Sequence, residues 1–237
     1  MKSTETIENM VRKLLDILSF GFYSKCKNKQ SQLRQNSLMK EYGIEILQIF
    51  NQIGTEQNKA IWLEFGTLLG AYRDHSFIQY DCDMDLGMYQ DQYDLDFENT
   101  LIMSGFRKKH FFYQYRNGRR FLTEVTWEYK GFQIDIFLCV NEGGKRHIFC
   151  YDKQDDESFA ENKWMFGEYS VPEAYPIERL EIATLACNSP ADPKRCLEIY
   201  YGDSFMTPIA DWTPSESTKR FKNWFVDKAY GSITIVR

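Results

Sequence analysis

A six-residue stretch that begins at Asp81, with the sequence DCDMDL, constrains the fold of this chain more than any other. Acidic and hydrophobic residues alternate along it. Successive side chains of a β-strand point to opposite faces, so residues two apart share a face at a separation of about 6.5–7 Å. We therefore predict that Asp83 and Asp85 stand side by side while Met84 and Leu86 pack in the core. Asp81 joins them if the strand begins that early.

Clustered carboxylates repel one another, and the repulsion grows in a dry interior, so such a cluster needs a cation. Oxygen ligands of this kind favour Mg²⁺, Mn²⁺ or Ca²⁺. An EF-hand calcium loop counted from Asp81 would need glycine at its sixth position and glutamate at its twelfth, where the chain has Leu86 and Gln92. A solvent-facing acidic strand is the remaining alternative, and it fits poorly with the hydrophobic residues on the opposite face.

A glycine turn lies just upstream of the aspartates. Residues 61–65 predict a short strand, and Gly66-Thr67 follows at its end. Glycine lets a phosphate approach the backbone, and the free N–H groups of a helix start bind anions, so Gly66, Thr67 and Gly70 are candidate phosphate-binding residues. Arg73 would add a forked pair of donors. A plain tight turn and a surface salt bridge explain these residues singly, but their combination with the aspartates favours a phosphate site.

A third candidate carboxylate lies in a second predicted strand. Residues 124–137 predict a β-hairpin that turns at a Lys-Gly pair, with Ile134 and Ile136 on one face and Asp135 on the other. An aspartate flanked by isoleucines in mid-strand needs a polar partner. We predict that Asp135 lies beside Asp83 and Asp85 and completes a three-carboxylate metal site, although an outward-facing aspartate is the alternative for this residue alone.

Taken in order, these motifs resemble the LicD family, whose fold is of the polymerase-β nucleotidyltransferase type. The family includes bacterial phosphocholine transferases and fukutin-type ribitol-phosphate transferases. The resemblance extends from about residue 60 to residue 212. It rests on four segments: Phe65–Arg73, Phe77–Gly87, Gln133–Phe137 and Tyr201–Pro208.

The resemblance implies a Mg²⁺-dependent transfer, with Mn²⁺ as an alternative ion, of a phospho-alcohol from a CDP-linked alcohol to a glycan or glycolipid hydroxyl. CDP-choline and CDP-ribitol are examples of such donors, and lipopolysaccharide, capsule or teichoic acid of such acceptors. It also implies that Asp83 and Asp85 bind the metal with Asp135 as the third ligand, while Asp81 is a further motif aspartate. Either Asp81 or Asp135 would accept the proton of the attacking hydroxyl.

The chain departs from the family pattern at two places. Gln79-Tyr80 stands where Pro-Trp is usual, and Cys82 stands where an acidic residue is frequent. Neither departure removes a proposed ligand, but both affect the donor pocket. Two other functions stay open: a metal-dependent glycosyltransferase that uses a nucleotide-sugar, and a non-catalytic nucleotide- or metal-binding module.

The length of 237 residues suits one domain with a sizeable core. The resemblance implies an α/β (α+β) protein, with a nucleotidyltransferase-type mixed sheet flanked by helices. We divide it into a helical segment at 1–60, packed on the core, and a catalytic domain at 61–237. The net charge of −5 argues against a nucleic-acid partner. Six cysteines without a Cys-x-x-Cys pair give no zinc spacing and suit a reducing cytosol.

The N-terminal part predicts an amphipathic helix at 4–23, a polar loop at 24–37 and a second helix at 38–54. The first helix is too short and too charged to span a membrane and lacks a signal-peptide cleavage pattern. We therefore expect a cytoplasmic location, with at most peripheral contact at the inner face of the membrane.

Further elements are predicted as follows: a helix at 91–104, a hairpin over 106–122 with its turn at Asn117-Gly118, a surface loop at 153–161, a helix at 192–201, a helix at 215–230 and a strand from Ser232.

Overall fold

A computed structural model describes residues 22–116, 119–152, 165–209 and 230–236 of the protein. Four of the predicted features fall wholly or almost wholly outside these ranges. They are the helix at 4–23, the turn at Asn117-Gly118, the loop at 153–161 and the helix at 215–230.

The described residues form an α/β fold around a mixed eight-stranded sheet, which confirms the predicted fold class. Six strands follow the order β1-β2-β5-β4-β3-β10, while β6 pairs with β5 and with β7. The β2–β5 pair is parallel, and the other pairs of the sheet are antiparallel. Two further strands, β8 and β9, form a separate ribbon. The strands are β1 Ile61–Leu63, β2 Met84–Tyr89, β3 Arg107–Arg116, β4 Arg119–Tyr129, β5 Phe132–Glu142, β6 Lys145–Asp152, β7 Met165–Pro172, β8 Glu178–Ile182, β9 Leu185–Ser189 and β10 Tyr230–Ile235.

Four α-helices flank the sheet within the described ranges. None of them combines the length and the hydrophobicity that crossing a bilayer requires. A short π-helical turn at Gly70–Asp74 extends the second helix, and a 3-10 turn occupies Gln90–Gln92. The α-helices are α1 Phe22–Glu56, α2 Phe65–Leu69, α3 Leu95–Met103 and α4 Pro193–Tyr201.

The alternation in the acidic stretch is confirmed by burial in β2. Met84 is completely buried and Leu86 is 1% exposed, because both face the core. Ile134 and Ile136 of β5 are buried on the same side. The strand begins only at Met84, so Asp81 and Asp83 lie in the segment that leads into it.

The loop predicted at 24–37 is wrong, because α1 is continuous from Phe22 to Glu56. The polar residues of this stretch are stabilised in the helix by tertiary hydrogen bonds that local sequence does not reveal. Gln35 Nε2 donates to the carbonyl of Gly131 at 2.9 Å, and Asn36 Nδ2 donates to the carbonyl of Asp81 at 2.7 Å. The helix predicted at 38–54 is therefore the second half of a longer one.

Turn and cap predictions agree with the structure where it describes them. Lys130 and Gly131 both have positive φ, at 50° and 88°, as a two-residue hairpin turn with mirror-image geometry requires. Asp192 caps α4 by accepting from the amide of Arg195 at 3.0 Å. The strand predicted at 61–65 ends at Leu63, since α2 begins at Phe65.

A buried ion pair joins Glu64, directly after β1, to Arg146 of β6. The Arg146 Nη1 group donates to Glu64 Oε2, and both side chains are fully buried. Tyr200 OH donates to Glu64 Oε1 at 2.8 Å, and Trp62 Nε1 donates to Oε2 at 2.9 Å. A Cβ at Gly87 would lie only 2.0 Å from that indole nitrogen, so glycine is required there. The carboxylate is thus fully satisfied without solvent.

We expect Arg146→Met to destabilise the protein by about 3–5 kcal/mol, because it leaves the Glu64 carboxylate buried and unpaired. The free energy of unfolding from urea titration measures this loss. The double variant Glu64→Gln/Arg146→Met should lose less than the sum of the single variants, since it leaves no uncompensated charge.

Arg195→Met is the matched control for this measurement. Arg195 forms an exposed helical ion pair with Glu198 at 3.0 Å, so its removal should cost less than about 0.5 kcal/mol. Equal losses for Arg146→Met and Arg195→Met would contradict the structural role assigned to the buried pair.

Candidate functional site

The parallel pairing of β2 with β5 builds the candidate site. Asp85 and Asp135 are direct partners in the strand register, so their side chains leave the sheet from adjacent strands on the same face. Asp83, one residue before β2, reaches the same place. Carboxylate oxygens of these three aspartates all lie within 4.8 Å of one another. The structure therefore brings together the three residues predicted as metal ligands.

Asp81 also reaches this cluster although it lies outside the strand. A Cβ at Gly66 would lie 3.0 Å from Asp81 Oδ2 and 3.5 Å from Asp85 Oδ2, so the missing side chain leaves these carboxylates room to approach each other. The loop is held from α1, where Asn36 Nδ2 donates to the carbonyls of Gln79 at 2.9 Å and Asp81 at 2.7 Å. Within the described residues, the buried Asp81 Oδ2 has no hydrogen-bond partner.

Burial and mutual repulsion raise the pKa values of this cluster. Burial, with Asp83 next to it, raises the pKa of Asp81 to about 7, and burial with Asp135 raises the pKa of Asp83 to about 6. Burial and the neighbouring aspartates also raise the pKa of Asp85 well above its ordinary value. The metal-free cluster therefore carries less than its full charge at neutral pH.

The residues present fit a divalent cation. Aspartate oxygens converge from three positions, one further buried oxygen is unpartnered, and the carboxylates repel one another when all are ionised. Hard oxygen donors of this kind suit Mg²⁺ or Mn²⁺. Asp83, Asp85 and Asp135 are the residues that would hold the ion.

The glycine turn contacts the cluster directly. Gly66 N–H donates to Asp85 Oδ2 at 3.2 Å, and Thr67 Oγ1 accepts from the backbone amide of Asp85 at 2.9 Å. Both residues thereby orient Asp85. Gly70 packs tightly on the following loop, since a Cβ there would lie 2.5 Å from the carbonyl oxygen of Ser76. Phosphate binding by this turn stays a prediction.

Arg73 forms an ion pair with the next residue in the chain, Asp74. Its Nε and Nη2 donate to the two carboxylate oxygens of Asp74 at 2.8 and 2.7 Å. The Arg73 side chain as a whole is 11% exposed. A phosphate contact by Arg73 would require exchange of this partner, and that contact also stays a prediction.

Sequence reasoning missed the groups that hold Asp135. Thr126 Oγ1 donates to Asp135 Oδ1, and Gln133 Nε2 donates to Asp135 Oδ2 at 2.9 Å. The side chain of His110 extends this series of hydrogen bonds, with Nε2 at 2.9 Å from Thr126 Oγ1. Gln133 shares a face with Asp135 by simple alternation, so the sequence contained a signal for it. Thr126 and His110 become visible only when strand register is known.

The polar face continues beyond Asp135 to β3. Ligand atoms of His110, Glu124 and Asp135 also lie within 4.8 Å of one another. Burial, with Asp135 nearby, raises the pKa of Glu124 well above its ordinary value, and burial lowers the pKa of His110. The face therefore combines acidic groups with a histidine whose neutral form is favoured.

Comparison with known proteins adds family evidence. The model of the LicD/FKTN/FKRP nucleotidyltransferase domain matches residues 58–192. An uncharacterized protein of Rickettsia typhi is 26% identical over 170 residues, which cover 69% of this chain and 47% of that protein. The ribitol-5-phosphate transferase FKTN of Mus musculus is 24% identical over 169 residues, 71% of this chain and 34% of that protein. The chain thus matches about half or a third of the length of these relatives.

In EDTA, we expect the free energy of unfolding to fall as pH rises from about 4 to about 7. The folded carboxylates have raised pKa values, so the folded state binds more protons than the unfolded state across this window. The loss should amount to several kcal/mol, and Mg²⁺ should reverse it at pH 7. Urea unfolding at a series of pH values measures it.

Asp83→Asn should flatten this pH dependence, because it removes one of the repelling charges. Asp96→Asn is the control, since Asp96 is exposed and lies outside the cluster. If the two variants show the same pH dependence as the wild type, repulsion within the cluster does not limit stability.

Proposed function

The chain belongs to the LicD/FKTN/FKRP nucleotidyltransferase-domain family, and from that premise we propose that it is a CDP-alcohol phosphotransferase. The reaction would move a phosphocholine, ribitol-phosphate or glycerol-phosphate group to a hydroxyl of a cell-surface glycan and release CMP. The observation that carries this proposal is the convergence of Asp83, Asp85 and Asp135 within 4.8 Å. The likeness to FKTN, named as a ribitol-5-phosphate transferase, supports the substrate class.

In this proposal Asp83, Asp85 and Asp135 would hold a Mg²⁺ ion, which would supply charge neutralisation at the donor phosphates. Mn²⁺ would be a substitute with the same oxygen preference. Gly66 and Thr67 fix Asp85 through its carboxylate and its amide. Rigid ligands matter because transition-state stabilisation depends on groups that are already oriented.

Asp81 is the better placed of the two candidate proton acceptors. Both oxygens of Asp135 already accept hydrogen bonds, whereas Asp81 Oδ2 has none within the described residues. We therefore assign acceptance of the hydroxyl proton to Asp81 Oδ2.

The partners follow from the same proposal. The donor is a CDP-linked alcohol, whose phosphates would lie near Gly66, Thr67, Gly70 and Arg73. The acceptor is a glycan or glycolipid, and we propose a cytoplasmic protein with at most peripheral contact at the inner face of the membrane. The net charge of −5 is consistent with the absence of a nucleic-acid partner from this proposal.

Asp83→Asn, Asp85→Asn and Asp135→Asn should each lower the transfer rate by on the order of 10²-fold or more, about 3 kcal/mol of barrier. Each substitution keeps the side-chain shape and removes a metal-binding charge. CMP release measures the rate. In EDTA the variants should be as stable as the wild type or more so, because one repelling charge is gone.

Asp96→Asn should retain full activity, since this exposed residue lies outside the cluster and outside the four motif segments. Normal turnover by Asp83→Asn or Asp135→Asn, or unfolding of either variant, would show that these residues are structural. The comparison of activity and stability in the same variants separates the two roles.

A panel of nucleotide donors tests the reaction class. We expect CMP release from one of CDP-choline, CDP-ribitol and CDP-glycerol in the presence of Mg²⁺ and an acceptor, and none in EDTA. Calorimetry should show tighter donor binding with Mg²⁺ than in EDTA. Release only from nucleotide-sugars would favour a glycosyltransferase, and binding without release would favour a non-catalytic module.

A further inference from the structure

Asp135 differs from the other aspartates of the cluster because both of its oxygens are held by side-chain donors. Thr126 Oγ1 donates to Oδ1 from the adjacent strand β4, where Thr126 is the register partner of Asp135. Gln133 Nε2 donates to Oδ2 at 2.9 Å from two residues away on β5. The aspartate is 8% exposed, so water contributes little to its orientation.

The Thr126 hydroxyl has a single proton, so it can donate only one of its two side-chain hydrogen bonds. An ionised Asp135 only accepts, so the proton must lie on the Thr126–Asp135 bond. His110 Nε2 lies 2.9 Å from the same Oγ1. Because the hydroxyl proton lies on the bond to Asp135, His110 must donate its Nε2–H to Thr126 Oγ1. The opposite histidine tautomer would draw the hydroxyl away and leave Asp135 Oδ1 without a donor.

We propose that His110, Thr126 and Gln133 are positioning residues that fix the carboxylate plane of Asp135 for binding a divalent cation. The contacts connect three neighbouring strands, β3, β4 and β5, and end on the ligand. This inference rests on the proposed function, because it takes Asp135 as a metal ligand. Second-layer hydrogen bonds of this kind typically alter metal affinity by 10- to 100-fold.

Binding of Mn²⁺ to the purified full chain, measured by electron paramagnetic resonance of the free ion, tests the proposal without substrate. Thr126→Val removes the hydroxyl at nearly constant shape and should weaken Mn²⁺ binding about 10- to 100-fold. Thr126→Ser restores the hydroxyl and should bind within about threefold of the wild type. His110→Leu should weaken binding, and His110→Gln, which can donate from an amide, should restore part of it.

Thr123→Val is the matched control. Thr123 is a buried threonine of the same strand, but its hydroxyl bonds to the carbonyl of Phe112 at 3.2 Å and to Tyr151. This variant should lose stability in EDTA without a change in Mn²⁺ affinity. Equal weakening by Thr123→Val and Thr126→Val would overturn the proposal, because general damage to β4 would then explain both.

Asp135→Asn separates failure of this inference from failure of the proposed function. If Asp135→Asn binds Mn²⁺ weakly while Thr126→Val binds as the wild type does, the metal site stands and the positioning role is overturned. If Asp135→Asn binds Mn²⁺ normally, the positioning role is also overturned, because its target is not a ligand. In transfer assays we expect Thr126→Val to raise the metal concentration needed for half-maximal rate and to regain kcat at saturating Mn²⁺.

Discussion

Repulsion between carboxylates on two adjacent parallel strands is the constraint around which this structure is arranged. Asp85 and Asp135 are register partners, and strands of a sheet lie only about 4.8 Å apart. Hydrophobic residues on the opposite face supply the compensating free energy. Met84, Leu86, Ile134 and Ile136 are almost completely buried there, and each contributes about 1.5–3 kcal/mol. The strands therefore pair even though their polar faces repel.

Two buried ionic systems lie within the described residues, and they hold their charges in different ways. Glu64 is neutralised by Arg146 and hydrogen-bonded by Trp62 and Tyr200, so it needs nothing from outside. The aspartate cluster has hydrogen-bond donors but no cationic side chain among its described contacts, and one oxygen of Asp81 has no partner there. A closed system of the first kind cannot lose one partner without leaving a buried uncompensated charge, while an open one of the second kind is suited to binding an ion.

Local sequence patterns predicted the parts of this fold that depend on residues close together in the sequence. The alternation around Asp83 and Asp135, the Lys130-Gly131 turn and the Asp192 cap are all short-range features. The failures involve partners far apart in sequence. The stretch at 24–37 is helical partly because Gln35 binds a carbonyl 96 residues away.

The same distinction holds at the candidate site. Asp85 and Asp135 were predicted to meet because each strand was visible in the sequence. Thr126 and His110 could not be placed, since a shift of one residue in the pairing of β3, β4 and β5 would send them to the other face. Glu64 and Arg146 are 82 positions apart, and nothing local marks them as a pair.

The hydrogen bonds of Asn36 show that the segment matched by the family model is not a self-sufficient part. The family match covers residues 58–192, but the side chain that holds the Asp81 loop comes from position 36, before that segment begins. Tyr200, which completes the shell of Glu64, comes after it ends. Grafting residues 58–192 alone into another protein would transplant the aspartate cluster without the side chain that holds the Asp81 loop, and Glu64 without one of its donors. The segment that the family model matches is therefore smaller than the segment that must be moved together to keep these contacts intact.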